Sequence, residues 1–366
     1  MIKLYAIQAR FGDCLLLEYG NATSNFILID GGPSRNYDDH VKPALTQLLK
    51  GHSQLQAVII SHVDNDHIVG VLDLLVELKY QRDAGNKEFV TVKQLWFNSF
   101  KNTIDTGDME ARIRAVNTIA GVNGFRMQEM SMAVNGIKEG HQVMSVARFL
   151  DIPVNPDTPK GCYIGGAEKI SFQKENLKIT VVGPTTDNLK KLQVKWEEWI
   201  AANEQKIAEG QYTKDFAAMS DRSIPNLSSI VLLVEADGKK ILLTGDCRGD
   251  HLKEGLMESG LSADGKYHVD IFKVPHHGSA RNVTREFFSE ITADQYIISA
   301  DGTYGNPDYE TLCWIVETAK EGNRKIKIIF TNETDSTKSL LDKYPQSAWD
   351  YKVEMLEKGQ NYLVVQ

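Results

Sequence analysis

Four side chains that bind metals or move protons fall within six residues: His62, Asp64, Asp66 and His67. They lie in the run Ala57-Val-Ile-Ile-Ser-His-Val-Asp-Asn-Asp-His-Ile-Val-Gly70. Imidazole nitrogens and carboxylate oxygens together suit Zn²⁺, Mn²⁺ or Fe²⁺. The apolar residues up to Ser61 read as a buried strand, and those after His67 as the start of a helix. The cluster therefore occupies a loop at a strand end, where side chains can turn toward one point as a compact two-metal site requires. The plain alternative is a polar turn that caps the helix through Asp64 or Asn65. A lone Asp would fit it; four ligand-type residues at this spacing argue against it.

Such a loop needs a rigid frame, and the rest of the chain supplies the pattern of one. Short β-rich runs appear at Ile2–Ile7, Cys14–Tyr19, Phe26–Asp30 and Ala57–Ser61. Later ones are Leu177–Val182, Ile230–Glu235, Lys240–Thr244, Val269–Val274, Gln295–Ser299, Lys325–Phe330 and Tyr362–Val365. Asp237-Gly238 between two of them is a hairpin signal. Val41, Leu45, Leu48 and Leu49 share a helical face closed by Gly51, and Ile68, Leu72, Leu75 and Val76 repeat at helical spacing. Asn306-Pro307 reads as an N-cap and first-turn proline before Leu312, Ile315, Val316 and Ala319, a stripe ended near Gly322. Strands in both halves, each with helices, predict an α+β chain: two sheets packed face to face with helices outside.

The middle departs from this pattern. Residues 100–170 lack a clear period and read as an insertion. A helical excursion is expected over 187–222, with Leu189, Leu192, Trp196 and Trp199/Ile200 on one stripe, most simply a surface helix docked on the body. The expectation is a single domain over 1–366, with 310–366 as a C-terminal extension of the sandwich.

Composition narrows the function classes. Of 366 residues, 42% are apolar and 25% charged, ordinary for a protein with a real core. Lys+Arg 41 against Asp+Glu 49 gives a net charge of −8, so there is no basic coat for nucleic acid, although a local basic groove can sit on an acidic protein. No run approaches the roughly 20 apolar residues of a membrane helix. The N-terminus reads as a strand, not a signal peptide. Cys14, Cys162, Cys247 and Cys313 are widely spaced, which fits neither a disulfide framework nor a thiolate zinc site and makes a cytoplasmic setting the expectation.

The central motif resembles the HxHxDH signature of the metallo-β-lactamase superfamily, here His62-Val-Asp64-Asn-Asp66-His67, with Asp in place of the second His. Phe26-Ile-Leu-Ile-Asp30-Gly31-Gly32 is similar to the early strand whose Asp-Gly end lies beneath the metals in that family. Ile241-Leu-Leu-Thr-Gly245-Asp246 resembles the strand that delivers the metal-bridging Asp, and Phe272-Lys-Val-Pro-His276-His277-Gly278-Ser279 the one that delivers the last metal-binding His. Phe11-Gly12-Asp13 and Tyr304-Gly-Asn-Pro307 narrow the resemblance to the hydrolase domain attached to the bacterial DNA-uptake channel of natural competence and its free-standing soluble relatives. It covers roughly residues 1–98 and 177–310. With no membrane channel in this chain, the expectation is a related chemistry and not DNA uptake.

The resemblance implies an αββα metallo-β-lactamase-type sandwich of two mixed sheets with outer helices. It also implies two divalent ions, Zn²⁺ or Mn²⁺, held by His62, Asp64, Asp66, His67, Asp246 and one of His276 and His277. These two are adjacent and cannot easily face one metal together. His276, directly after the strand, is the expected ligand, and His277 the phosphate contact or proton donor. Typical members carry a further His before the Thr-Gly-Asp strand; this chain has Ile224-Pro-Asn226-Leu-Ser228-Ser-Ile there. One site is thus left with His62, Asp64 and Asp246, with an oxygen of Asn226 or Ser228 as a candidate further ligand, and is expected to be weak. The added carboxylate favours a harder ion such as Mn²⁺. Asp13 is a candidate for supporting the metal shell, a turn-closing role being as probable. Cys247 reads as a packing residue.

With no covalent-nucleophile motif and no phosphate-cradling loop, the metals themselves must make the nucleophile, since Zn²⁺ brings the pKa of bound water to about 7. Asp66 and His277 are the expected catalytic residues, and Ser279, Arg281 and Asn306 the expected substrate contacts, with a plain surface-loop role as the alternative for Ser279 and Arg281. The leading expectation is a phosphodiesterase or nuclease, with nucleic acid admitted as substrate and no membrane partner. The alternatives are hydrolysis of a small ester, lactone or thioester, which the same fold supports, and a metal-stabilised binding or regulatory module with little turnover. Sequence does not fix the oligomeric state.

Overall fold

The structure is a computed structural model that describes residues 1–99, 132–156, 158, 161–168, 171–191, 193, 194, 198, 201 and 228–365. In chain order the strands are β1 (Ile2–Ile7), β2 (Leu15–Tyr19), β3 (Asn25–Ile29), β4 (Gln54–Leu55), β5 (Ala57–Ile60), β6 (Thr91–Val92), β7 (Leu95–Phe97) and β8 (Ser171–Lys174). They continue as β9 (Leu177–Gly183), β10 (Val231–Ala236), β11 (Lys239–Leu243), β12 (Tyr267–Lys273), β13 (Ile291–Ile298), β14 (Ile326–Phe330), β15 (Tyr351–Met355) and β16 (Tyr362–Val365).

Alternation along the strands explains the layers. In β1, Leu4 and Ala6 face one core while Tyr5 and Ile7 face another; in β3, Ile27 and Ile29 divide from Phe26 and Leu28 in the same way. Strands apolar on both faces must be covered on both faces. The first sheet has the order β16-β1-β2-β3-β5-β7 and the second β15-β14-β13-β12-β11-β10-β9-β8, with β4 and β6 as a separate pair. Between the sheets, Leu17, Ile27 and Ile59 meet Ile179, Leu232 and Ile271. Outside the first sheet lie helices Lys42–Leu49, Asn65–Asp83 and Met132–Phe149. Outside the second lie Gly249–Glu258, Arg285–Glu290, Tyr309–Glu321 and Asp335–Lys343. The result is a four-layer αββα sandwich.

Both sheets are mixed. Pairings are antiparallel from β16 through β3 and parallel from β3 to β7; in the second sheet they are parallel from β15 to β11 and antiparallel from there to β8. The β10–β11 hairpin turns at Asp237 and Gly238, with φ of 53° and 75°, which suits the twist of the flanking strands.

Some expected elements differ. Asn306-Pro307 does not open the following helix: Asn306 is extended and the helix runs Tyr309–Glu321, preceded by Asp308. Pro307 is instead packed against Gly278, where a Cβ would come 2.8 Å from the proline ring. Val143, Ala147 and Leu150, within the stretch read as an insertion, belong to the first outer core. Their period was hidden by Gly and Met. Residues 100–131 and 202–227, including most of the expected helical excursion and Asn226, lie outside the described residues. Beyond 310, β14 and β15 complete the second sheet and β16 crosses to pair with β1. The missed β15 is half-exposed and reads Tyr-Lys-Val-Glu-Met, too polar and short to stand out.

Candidate metal centre

Parallel strands of both sheets end at one edge, and the loops there build the centre. Strand β5 is buried throughout and gives way to Ser61, His62 and Asp64 before helix Asn65–Asp83. Asp64 stands at the N-cap with extended backbone (φ −70°, ψ 145°), yet its side chain makes no cap bond; its Oδ2 lies 3.5 Å from His62 Nε2. The motif is therefore not merely a capping turn. Strand β11 leads through Thr244 and Gly245 to Asp246. Strand β12 leads to a turn in which His276 (φ 48°), His277 (φ 55°) and Gly278 (φ 86°) are all left-handed. Left-handed non-glycine residues cost of order 1–3 kcal/mol each and persist where the surroundings hold them. The edges are tied by Ile230 N to Ser61 O (2.8 Å) and Ser299 Oγ to Gly12 O (2.6 Å).

Asp246 is the hub. Its Oδ1 lies 3.3 Å from His67 Nε2, and its Oδ2 lies 3.4, 3.8 and 3.9 Å from the Nε2 atoms of His277, His276 and His62. Each imidazole is held through its other nitrogen. His62 Nδ1 meets Ser61 Oγ (3.0 Å), His67 Nδ1 meets Asp30 Oδ2 (2.9 Å), and His276 Nδ1 meets Asn282 Oδ1 (2.8 Å). His277 Nδ1 donates to the Ser299 carbonyl (2.9 Å). Anchoring one nitrogen this way fixes the tautomer and leaves the other lone pair for a metal.

The polar atoms left over test whether a metal fits. Nε2 of His62, His67 and His277 and Oδ1 of Asp64 and Asp246 are buried with no hydrogen-bond partner. Buried polar atoms are rarely orphaned, and here ligand atoms of His62, His67 and Asp246 lie within 4.8 Å of one another, as do those of Asp66, His67 and His277. Divalent cations would satisfy such atoms, and the mixed imidazole and carboxylate donor set is the chemistry such ions take. Asp66 Oδ2 lies 3.3 Å from His277 Nε2 and 4.0 Å from His67 Nε2. Thus His62, Asp66, His67, His276 and His277 gather around Asp246, and Asp64 lies against His62. The more enclosed position between Asp66 and Asp246 is that of His277, not of His276, whose side chain is 15% exposed against 3% for its neighbour.

Electrostatics reinforce the picture. Asp13, Asp30, Asp64, Asp66 and Asp246 are all buried here. Burial opposes ionisation of Asp246, but His277, His67 and His276 outweigh it and hold the carboxyl well below its usual range. Asp66 is lowered in the same way, burial being outweighed by His67 and His277. Burial likewise opposes charge on His67 and His277, yet the surrounding carboxylates, Asp246 first, raise both well above the ordinary imidazole value.

Lys273 was not singled out from the sequence. It is 1% exposed, pairs with Asp13, and places Nζ 3.2 Å from Gly245 O and 3.9 Å from Asp246 Oδ1. Among the described residues no other Lys or Arg is buried. A lysine interrupting the apolar run Val269–Val274 was the available signal. Asn282 and Ser299, which anchor the two histidines, carried none.

The expected substrate contacts lie around the His-His turn. Ser279 is buried with Oγ 3.5 Å from Asp308 Oδ2, so it supports the turn. Arg281 is exposed and lines an open cavity with Asn282, Arg248 and Lys253. Asn306 is half-buried, and its carbonyl accepts from Gly302 N at 3.1 Å. Ser228 is buried in the segment leading to Ile230, beside Ser61. Cys247 is a buried thiol whose pKa burial pushes up.

A family model described as "Metallo-beta-lactamase superfamily" matches residues 7–122. Over 131 residues the chain is 34% identical to "ComE operon protein 3" of Bacillus subtilis (strain 168), a match covering 34% of this chain and 16% of that protein. The chain thus spans a small part of that relative's length. One solved structure, of a new diphosphatase from the PhnP family, aligns at 10% identity and a TM-score of 0.39 over 100% of this chain and 98% of that one. A long form RNase Z from yeast aligns at 11% identity and 0.37 over 98% and 44%. At these scores neither likeness bears on activity. No helix among the described residues is long and apolar enough to cross a membrane.

Proposed function

We propose that this member of the metallo-β-lactamase superfamily, a metal-dependent hydrolase by fold and donor set, cleaves phosphodiesters. The observation that carries the reading is the ring of orphaned Nε2 and carboxylate oxygen atoms around Asp246. When bound, divalent ions acidify water to near neutral pH and draw charge from a phosphoryl oxygen, which suits in-line attack on phosphorus. The chain's own groups do the rest. Asp66, His67, His277 and Asp246 would hold one ion, with His277 in the ligand role expected of His276. Asp30 keeps His67 in the tautomer that presents Nε2. Asp66 and Asp246 stay ionised and so can accept hydrogen bonds from water at the centre. Arg281, exposed and four residues after His277, is the cation we assign to offset the charge on a phosphate. The carboxylate-rich set favours Mn²⁺ over a thiolate-loving ion.

Metal-stripped protein resupplied with Mn²⁺ or Zn²⁺, assayed on bis(p-nitrophenyl) phosphate and single-stranded DNA, tests this beside an Asp66→Ala, His67→Ala variant. Metal-dependent turnover lost in the variant supports the reading. Hydrolysis of lactones or thioesters with none of phosphodiesters overturns it in favour of the small-ester alternative. Stoichiometric metal binding without any turnover overturns it in favour of a binding module.

A further inference from the structure

We infer that His276 supplies the imidazole missing from the first metal position, so that the adjacent histidines serve one ion each. The inference rests on reading the centre as metal-binding, not on the substrate. That position has His62, Asp64 and Asp246, and the segment before β10 brings no histidine to it.

Three observations place His276 there. Consecutive left-handed residues splay the two rings to 83° with centroids 5.9 Å apart, an arrangement neighbours in a strand cannot adopt toward one centre. Both Nε2 atoms nevertheless approach Asp246 Oδ2. His277 does so from the Asp66 and His67 side, its ring centroid 5.3 Å from that of His67. His276 Nε2 and His62 Nε2 lie at nearly equal range from that oxygen, 3.8 and 3.9 Å. Ligand atoms around a tetrahedral ion with bonds of ~2.0–2.1 Å sit about 3.3 Å apart, so an ion shared with Asp246 would draw each of these two nitrogens about half an ångström closer to that oxygen. Finally, Asn282 Oδ1 takes the Nδ1 proton of His276 at 2.8 Å, the same anchoring that prepares the other three rings. The 15% exposure of His276 makes this the more open and exchangeable position.

The test counts metals without substrate. Wild type, His276→Ala, His277→Ala, His62→Ala and Asn282→Ala are loaded, dialysed and measured for bound metal and affinity, with Co²⁺ absorption reporting ligand number. His276→Ala and His62→Ala should each lose the same ion and keep the other, while His277→Ala loses the second. Asn282→Ala should weaken the first ion alone by about 10–100-fold. Added imidazole should restore the ion to His276→Gly. Two tightly held ions in His276→Ala, or loss from it of the ion that Asp66→Ala loses, overturns the assignment. So does unchanged affinity in Asn282→Ala, which applies even if the histidine variants fail to fold. A protein that binds two ions as described but leaves phosphodiesters intact overturns the proposed function and not this inference.

Discussion

Lys273 and Asp13 form an ion pair in the floor of the centre, shut away from water and touching Asp246 and His277 through their other contacts. Asp13 Oδ1 lies 3.4 Å from His277 Nδ1, so the pair supports the ligands from beneath. Burial opposes charge on both partners, yet each keeps the other ionised: Lys273 is raised and Asp13 lowered from its usual range.

Lys273→Met should therefore leave Asp13 as an uncompensated buried charge and cost the metal-free protein about 3–5 kcal/mol. Metal should recover part of this by supplying positive charge nearby, and Asp13→Asn in the same chain should recover most of it without metal. Chemical denaturation with and without chelator checks both. Equal losses in metal-free and metal-loaded protein would show a pair that acts on the fold alone.

Metal affinity should rise with pH. His67 and His277 have raised pKa values in the metal-free fold and must lose their protons to bind an ion. The same raised values mean that their contribution to metal-free stability is full below the unfolded imidazole pKa of about 6.5 and is lost as pH climbs through the folded values. Asp66 and Asp246, being lowered, contribute stability that is present above about pH 4 and lost as pH falls through their folded values. Calorimetric titration in buffers of different ionisation enthalpy should show proton release on binding. Proton uptake, or affinity that falls as pH rises, contradicts the arrangement.

Gly70→Ala should damage both fold and centre. A Cβ there would lie 1.9 Å from the Gly31 carbonyl, directly after Asp30, where the motif helix crosses the end of β3. Forcing these backbones apart costs about 1–3 kcal/mol and displaces His67 from Asp30. The expected outcome is a lower melting temperature together with weaker metal binding; a shift in melting temperature alone would separate the helix contact from the site.

Arg281→Ala should raise KM for phosphodiesters about tenfold, equivalent to about 1.4 kcal/mol of lost interaction, with metal content unchanged. An unaltered KM would move the phosphate contact elsewhere on the rim.

Ligand chemistry was legible in the residue types and spacing of His62, Asp64, Asp66 and His67, because strand and turn periodicity is local. The two-faced alternation of β1 and β3 likewise predicts strands covered on both sides, and Asp246 and the His-His pair stand at the ends of recognisable strands. Which histidine faces which ligand was not legible. His276 and His277 are identical side chains, and their directions follow from left-handed backbone angles held by Pro307 and Asn282. Nor could the sequence say that Lys273 reaches Asp13, 260 positions away, because that pairing depends on how two sheets meet at one edge. Local pattern chooses the elements and the chemistry they carry. Only the packing of the sheets decides which atoms come within bonding distance, since distances between remote segments depend on every layer of side chains between them.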